Sequence, residues 1–208
     1  MKTKINIGKG IVLSCFDKTT NMVKPWANQG FKCQCVDLQH PFGTTTENNN
    51  IFKIHADMLE WKPDFDIFNK YKIAFFFPPC TDVAVSGARW FKDKGLGAVI
   101  NALQLFKVCV DIASILNIPY MIENPVSTVS TYWRKPDYIF QPWEYGDLYT
   151  KKTCLWVGNG FVMPEPIYKE KPEGVTEKIW LMPPSEDRAN KRSETPMGFA
   201  NAVFKANR

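Results

Sequence analysis

No segment of the sequence approaches the ~20 consecutive apolar residues that a membrane-spanning helix needs. The first residues, MKTKINIGKGIVLSC, are similar to a lipoprotein signal that ends at Cys15, but the apolar stretch is short and Lys9 interrupts it. We therefore expect no membrane partner, and we interpret this stretch as containing the first strand of the fold.

The six cysteines lack the regular spacing of a disulfide framework, and a chain of 208 residues does not need such cross-links. Reduced thiols and a cytoplasmic location are therefore expected. Cys33 and Cys35 could form half of a metal site, but no second pair follows nearby. Two buried residues on one face of a strand are the preferred interpretation, and no metal site is predicted.

Internal repeats and low-complexity segments are also absent from the sequence. With 45% apolar residues, the chain suits one globular domain, or one domain with a small appendage. Its fifteen prolines and seven tryptophans predict long, ordered loops. The net charge of +5 permits an anionic partner such as nucleic acid without requiring one.

Short, β-rich apolar runs predict six strands, at 10–16, 31–37, 51–57, 72–77, 118–124 and 153–158. Apolar periodicity and capping residues predict a short helix from Thr20 or Asn21 to Gly30, a long helix from Leu96 to Asn117, and a closing helix over 193–206 capped by Ser193 or Thr195. Composition predicts a loop over 40–50 and an extended segment from Met163 to Arg192. Strands that alternate with helices indicate an α/β fold with a doubly wound, mostly parallel sheet.

Acidic residues stand at the carboxyl ends of the first three predicted strands, at the edge where such sheets bind ligands. They are Asp17, Asp37 and Asp57. Asp37 follows the second strand, where an acid often accepts hydrogen bonds from ribose hydroxyls, although it could also be a turn or cap residue. Asp57 could accept a hydrogen bond from an adenine amino group, and a turn role is nearly as well supported.

Cys80 stands behind two prolines at the end of the fourth predicted strand, in the sequence AFFFPPCTDVAVSG. The prolines fix the backbone and so hold this cysteine rigidly at the ligand edge, as a nucleophile requires. Backbone amides or a nearby cation could lower the pKa of its thiol. Burial of Cys80 as a small core residue is the alternative.

Two further groups of polar residues could act at the same edge. Glu123 ends the fifth predicted strand and could donate a proton to a ring nitrogen, or it could simply be paired with a lysine or arginine. Arg89, Lys92 and Lys94 alternate with Trp90 and Phe91, which suits phosphates and bases. A solvated loop around a buried aromatic pair is the alternative for that segment.

The order of these motifs resembles the DNA cytosine-C5 methyltransferases, and in particular their short phage-encoded relatives without a full target-recognition domain. The resemblance runs from about Val12 to Val157, with a weaker one in the last helix. Four motifs carry it: LSCFD at the cofactor loop, FPPC at the nucleophile, IEN at the Glu-Asn motif, and YGDLYTKKTCLWV at the Tyr-Gly segment that leads to Gln-x-Arg-x-Arg.

The resemblance implies a Rossmann-like methyltransferase domain over 1–160, with 161–208 forming an extended segment and a closing helix that packs back on it. It implies S-adenosylmethionine (SAM) as cofactor, bound by Phe16, Asp17, Asp37, Asp57 and Pro78. It also implies catalysis by Cys80, Glu123 and Lys151, nucleic-acid contacts from Arg89, Lys92 and Lys94, and a location in the host cytoplasm if a phage encodes the chain.

The sequence departs from the family pattern at three places. Lys18 and Thr20 stand where the cofactor loop has glycines. Tyr149, Lys151 and Thr153 replace the glutamine and both arginines, so that Lys151 alone could neutralise the O2 oxygen of the base. Between the last strand and the last helix, 158–192 is too short for an independent reading domain.

Three functions are consistent with these residues. The first is SAM-dependent methylation of C5 of cytosine in DNA, with little sequence specificity. The second is the same chemistry on a free cytosine nucleotide, which would explain the missing reading domain. The third is a catalytically lapsed relative that binds DNA or a protein, which Lys18 and Thr20 favour and which the intact Cys80 and Glu123 oppose.

Overall fold

The computed structural model, which describes residues 8–183, 185 and 187–208, contains a single sheet of eight strands. The strands are β1 (Ile11–Cys15), β2 (Lys32–Val36), β3 (Thr44–Glu47), β4 (Ile51–Ile54), β5 (Tyr71–Phe76), β6 (Tyr120–Pro125), β7 (Tyr138–Phe140) and β8 (Thr153–Gly158).

The strands lie in the order β3-β4-β2-β1-β5-β6-β8-β7. Strands β4, β2, β1, β5 and β6 are mutually parallel, whereas β3 is antiparallel to β4, and β8 is antiparallel to β6 and β7. The strand order reverses between β1 and β5. Strands β2, β4 and β3 are added on one side of β1, and β5 and the later strands are added on its other side. The α/β class and the mostly parallel sheet are therefore confirmed.

Six α-helices accompany the sheet within the described residues: α1 (Lys24–Asn28), α2 (Phe91–Leu116), α3 (Val129–Tyr132), α4 (Lys178–Leu181), α5 (Arg188–Ser193) and α6 (Met197–Asn207). Short 3-10 helices lie at Asn21–Val23, Phe65–Lys70, Val85–Trp90 and Pro142–Tyr145.

The core has one layer of helices on each face of the sheet. On one face, α1 and α6 pack together, with the rings of Trp26 and Phe204 5.0 Å apart. Phe199 of α6 also stacks on Phe140 at 4.1 Å. On the other face, α2 buries Phe106 and its neighbours against β1, β5 and β6. The closing helix therefore packs back on the domain, mainly against residues 21–28 and the segment around Phe140.

Helix α2 includes an extra turn from Phe91, but its continuous part begins at Leu96, as the apolar periodicity predicts. Gly95 has φ 76° and ψ 172°, so the backbone leaves helical geometry there and the first turn stands apart from the rest. This conformation is open to glycine and strained for other residues. The helix ends where predicted, with Asn117 in the left-handed conformation that commonly terminates helices.

Other predictions of secondary structure were wrong in part. The predicted loop over 40–50 contains β3, and no strand was predicted at β7. The predicted extended segment from Met163 to Arg192 contains α4 and most of α5. The closing helix begins at Met197 with Pro196 as N-cap and without a side-chain cap, because Ser193 instead belongs to α5.

The helical stretch Val85–Leu116 contains an 18-residue window with a mean hydropathy of 1.7, and it is long and apolar enough, by length and composition, to cross a bilayer. The expectation that no segment approaches the length and apolar character of a membrane-spanning helix was therefore too strict. A single helix of this kind is a weak indication of a membrane span, because the core helix of a soluble protein meets the same criteria. Phe106, Cys109 and Ile112 of this stretch are buried against the sheet.

Candidate active site

The polar residues predicted from the strand ends lie along one edge of the sheet. Asp17 follows β1, Asp37 follows β2, and the Pro78–Cys80 turn follows β5. Glu123 lies in the last part of β6 opposite Leu155, and the antiparallel strand β8 begins at Thr153, opposite Pro125 and two residues after Lys151. Since the carboxyl ends of parallel strands meet at one edge, the topology brings residues from distant parts of the chain together.

The turn that carries Cys80 is bound to the end of β6. The buried Asn124 donates a hydrogen bond from Nδ2 to the carbonyl oxygen of Pro78 at 3.1 Å. Two backbone bonds, Val85 N to Val126 O and Thr128 N to Val83 O, both 2.9 Å, join the following loop to the chain beyond β6. Cys80 is therefore held at the sheet edge and is only partly exposed.

Glu123 and Lys151 form the charged part of the site. Lys151 Nζ lies 3.7 Å from Glu123 Oε1, and each side chain is 15% exposed. Glu123 Oε1 is buried and accepts no hydrogen bond from the described residues. The backbone of Lys151 donates to Gln141 Oε1 at 2.8 Å, which fixes the lysine beside the strand. Both the proton-donor and the ion-pair interpretations of Glu123 are compatible with this geometry.

The pKa of the Cys80 thiol is raised above its ordinary value. Burial is the largest cause and the Glu123 carboxylate adds to it, whereas the Lys151 and Arg192 cations lower the pKa by less. The expectation that a nearby cation would lower the pKa of Cys80 was therefore wrong in net direction, because burial outweighs the two positive charges.

A small cavity of about 10 Å³, enough for one water molecule, lies beside these charges. Its wall includes Ser193, Thr195 and Pro196 from the connection between α5 and α6. The other lining residues are Phe77, Glu123, Phe140, Lys151, Thr153 and Phe199. The connection between α5 and α6 thus closes the site from one side.

The loop after β1 has an unusual backbone. Phe16 and Thr20 both have positive φ, 58° and 60°, although neither is glycine. The Asp17 carboxylate accepts hydrogen bonds from Ser14 Oγ, Thr19 Oγ1 and Thr20 N. Asp17 therefore holds the loop in a conformation that glycine would adopt freely, at a cost of roughly 1–3 kcal/mol for each such residue.

The two other predicted acids differ in burial. Asp37 is 6% exposed; its Oδ1 accepts from Gln39 N at 2.7 Å, and its other oxygen makes no hydrogen bond to the described residues. Asp57 is exposed, lies three residues beyond the end of β4, and accepts from Leu59 N at 2.9 Å. The turn interpretation thus describes Asp57 well, whereas Asp37 keeps a buried acceptor at the sheet edge.

The predicted nucleic-acid residues lie next to the Cys80 loop. Lys94 Nζ binds the carbonyl oxygen of Thr81 at 3.1 Å and Asp82 Oδ1 at 2.7 Å, so it fastens this loop to the first turn of α2. Arg89 is exposed and its guanidinium lies 5.1 Å from the centre of the Trp90 ring. Lys92 is also exposed.

Sequence reasoning missed two contributions to the site. Ser193 and Thr195 were considered only as helix caps, yet both line the cavity. Arg192 was placed in an extended tail, yet it is close enough to act on the Cys80 thiol. The basic run RANKRS, which ends at Ser193, was the available signal.

The site contains no recognisable metal centre within the described ranges, where no three His, Cys, Asp or Glu side chains are grouped to hold an ion. Cys33 and Cys35 lie on one face of β2, both buried in the same core cluster, as the spacing predicted. In comparisons with known proteins, no family model matches the chain, and no curated protein is significantly similar to it in sequence.

Proposed function

We propose that the protein is a SAM-dependent methyltransferase that acts on C5 of cytosine in DNA and resembles the short phage-encoded members of that family. The observation that carries this proposal is the meeting of Cys80, Glu123 and Lys151 at one sheet edge, next to the reversal of strand order. A thiol can add to a cytosine ring as a nucleophile, a carboxyl group can donate a proton to a ring nitrogen, and an ammonium group can neutralise the O2 oxygen.

In this mechanism the Cys80 thiol loses its proton to solvent, and the sulfur adds to C6 of cytosine. Glu123 gives a proton to N3, so that the electron pair displaced from C6 can reside at C5. Lys151 neutralises the O2 oxygen as a point charge. Once C5 has taken up the methyl group that the bound cofactor would supply, loss of the C5 hydrogen as a proton to water re-forms the C5–C6 double bond, expels Cys80 as a thiolate, and returns the N3 proton to Glu123.

The sheet edge beside β1 and β2 suits the cofactor. When bound, SAM would supply the methyl group as an electrophilic carbon. The buried carboxylate of Asp37 has a free acceptor oxygen for ribose hydroxyls. The loop from Phe16 to Thr20 keeps positive φ angles at two positions despite the missing glycines, and strained backbone of this kind is concentrated at ligand sites.

The segment between β8 and α6 supports low sequence specificity. None of the residues between Glu165 and Glu194 whose burial the structure describes is buried, so these residues form no core of their own. It follows the chain over 144–151 through contacts such as Tyr145 Oη to Pro164 O and Thr150 N to Thr176 O. A segment built this way cannot act as a separate reading domain.

The test is transfer of a labelled methyl group from SAM to duplex DNA, single-stranded DNA and dCMP, measured in parallel. Cys80→Ser should abolish transfer and leave the fold intact, because a hydroxyl is far harder to ionise than a thiol. Cys109→Ser is the matched control, since Cys109 Sγ already donates to Leu105 O at 3.3 Å and a serine hydroxyl commonly bonds the carbonyl one helical turn back.

A second test uses 5-fluorocytosine, whose fluorine cannot leave as a proton. DNA or a nucleotide that carries this base should form a SAM-dependent covalent adduct at Cys80, visible by mass spectrometry. If no cytosine substrate gives an adduct and Cys80→Ser melts several degrees lower than the unaltered protein, Cys80 is a packing residue and the proposal is wrong.

A catalytically lapsed binding protein is the second candidate. Two observations favour it: the raised pKa of the Cys80 thiol, and a cavity that holds only one water molecule. Titration calorimetry with SAM separates the two candidates. Micromolar binding supports the enzyme, whereas no binding at millimolar SAM supports the lapsed relative.

A further inference from the structure

Helix α2 carries two apolar stripes, and only one of them packs on the sheet. The inner stripe, which includes Cys109, Ile112 and Leu116, is buried against the strands. A second stripe lies on the opposite side of the helix, and its residues recur at alternating intervals of four and three: Leu96, Ile100, Leu103, Lys107, Val110 and Ser114. These six residues are called the outer stripe below.

The outer stripe leaves apolar surface exposed. Leu96 is 74% exposed and Ile100 is 47% exposed, and Leu103 and Val110 are partly exposed. Within the helical stretch Val85–Leu116, only 39% of an apolar 18-residue window is buried inside the chain. Apolar residues at intervals of four and three form the seam along which two helices pack as a coiled coil. The outer stripe thus has the pattern of a helix–helix contact without a second helix from the described residues to fill it.

A groove beside the outer stripe gives this surface depth. Tyr132 and Trp133, at the end of α3, line it together with Leu103, Phe106 and Val110 of α2. Its volume is about 520 Å³, which leaves room for side chains of a partner. Tyrosine and tryptophan are enriched where protein surfaces meet, so the composition of the groove favours a protein partner.

Two charges in the middle of this surface decide which partner fits. Lys107 Nζ lies 2.6 Å from Asp111 Oδ2, one helical turn further on, and both side chains are exposed. Lipid is a poor partner for such a face, because charged groups are costly inside a bilayer. A second copy of the chain is a good partner, because a two-fold axis level with residue 109 places Lys107 of each copy opposite Asp111 of the other.

We propose that the outer stripe and its groove form an isologous dimer interface, in which α2 packs antiparallel to α2 of a second copy. A single lysine within an apolar seam fixes the register and orientation of a helix pair. In a parallel pair the two Lys107 side chains would meet in the seam and repel, whereas the antiparallel pair brings each of them to an acid. The inference is independent of the proposed function, since it uses no residue of the candidate active site.

The antiparallel arrangement separates the two candidate active sites. Lys94, near the start of α2, donates a hydrogen bond to the carbonyl oxygen of Thr81 in the Cys80 loop. The other end of α2 leads into the first residues of β6, at the opposite edge of the sheet. Opposed helices therefore place the two Cys80 side chains at opposite ends of the dimer.

The test uses two variants of opposite charge, first separately and then mixed. In Lys107→Glu both charges of the face are negative, and in Asp111→Lys both are positive, so each variant should repel itself across the two-fold axis. Sedimentation velocity at micromolar concentrations should show the unaltered protein at twice its chain mass of 23.9 kDa. Each variant alone should have a dimer dissociation constant raised by about tenfold or more. An equal mixture should return to twice the chain mass, because a negative face then meets a positive one.

Mixing distinguishes an interface from a role within one chain. Both variants lose the ion pair inside the chain and mixing cannot restore it, so recovery requires contact between copies. Lys205→Glu is the matched control, because it makes the same charge change at an exposed position of α6, on the other face of the sheet, and it should remain a dimer. If either charge variant melts lower by circular dichroism, Ile100→Glu replaces the pair and should by itself give a monomer.

Four results would overturn the proposal. The first is an unaltered protein that sediments as one chain throughout the concentration range. The second is a dimer that persists in Lys107→Glu, Asp111→Lys and Ile100→Glu, since its interface would lie elsewhere. The third is a pair of charge variants that dissociate but do not recover on mixing, which would exclude the reciprocal contact of Lys107 with Asp111. The fourth is a monomer that binds phospholipid vesicles through Leu96 and Ile100, which would assign the outer stripe to a membrane.

Discussion

The side-chain nitrogen Nδ2 of Asn124 lies 3.1 Å from the carbonyl oxygen of Pro78, and this hydrogen bond connects the end of β6 to the turn before Cys80. Asn124 is 1% exposed, and its Oδ1 has no hydrogen-bond partner in the part of the chain that the structure describes. The position of Cys80 therefore depends on a side chain from a neighbouring strand as well as on the two prolines.

Asn124→Ala should lower the free energy of unfolding by about 1–3 kcal/mol, because the buried carbonyl of Pro78 loses its donor. It should also slow adduct formation at Cys80, since small displacements of a nucleophile cost rate steeply. Urea denaturation and mass spectrometry of the 5-fluorocytosine adduct measure the two effects. Asn101→Ala, at an exposed position of α2, is the control. Unaltered stability and adduct rate in Asn124→Ala would show that this bond does not position Cys80.

The reactivity of Cys80 should depend on its charged neighbours in opposite directions. Because burial and the Glu123 carboxylate raise the pKa of the Cys80 thiol, alkylation by iodoacetamide should still be increasing above the ordinary thiol pKa of about 8.5. Glu123→Gln should shift the pH midpoint downward, and Lys151→Met should shift it upward. Peptide mass spectrometry follows Cys80 separately from the five other cysteines. Identical midpoints in all three proteins would exclude electrostatic coupling of these residues.

Asp17 should make the protein less stable as the pH rises. Burial raises the pKa of Asp17 in the folded state, although hydrogen bonds from Ser14, Thr20 and Thr19 oppose this. The folded protein therefore binds the proton more tightly than the unfolded chain does. The free energy of unfolding should decrease from about pH 4, the ordinary value of the acid, up to the raised pKa.

Asp17→Asn cannot titrate, so this decrease should be missing from its pH profile in urea denaturation. Ser14→Ala removes a hydrogen bond that lowers the pKa of Asp17, and it should extend the decrease to higher pH. A profile of Asp17→Asn that is parallel to that of the unaltered protein would mean that Asp17 contributes nothing to the pH dependence.

Asp37 and Asp57 should differ in their effect on the cofactor. Asp37→Asn keeps the acceptor for Gln39 N but loses the charge, and it should weaken SAM binding by about 1–3 kcal/mol. Asp57→Asn should have a smaller effect, because Asp57 is exposed and its carboxylate already accepts a hydrogen bond from Leu59 N in the same turn. Calorimetry compares the two variants. Equal affinities in Asp37→Asn and the unaltered protein would remove Asp37 from the site.

The strands that the sequence predicts well are those whose own side chains fill the core, such as β1 and β5. Strand β3 was missed because its residues, Thr44–Glu47, are polar and it exists through antiparallel pairing with β4. Strand β7 is short and two of its three residues are exposed, so it too depends on its neighbour, β8. Local pattern cannot reveal a strand that is defined by its partner.

The site residues also divide into those that a local sequence pattern predicts and those that depend on the path of the chain. Cys80 and Glu123 could be predicted because both stand at the ends of apolar runs, and the topology brings the ends of such runs together. The position of Ser193 and Arg192 near the site could not be predicted, because it depends on the path of the chain after β8, through residues with no apolar pattern. Thr20 shows another limit, since nothing in its type indicates a left-handed backbone.

The one-water cavity between Lys151 and Thr195 has a consequence for inhibitor discovery. A ring-sized fragment can enter only if residues that line the cavity move apart, so the free energy of that movement is subtracted from the affinity of every fragment. Docking against the closed form would reject compounds that fit the open one.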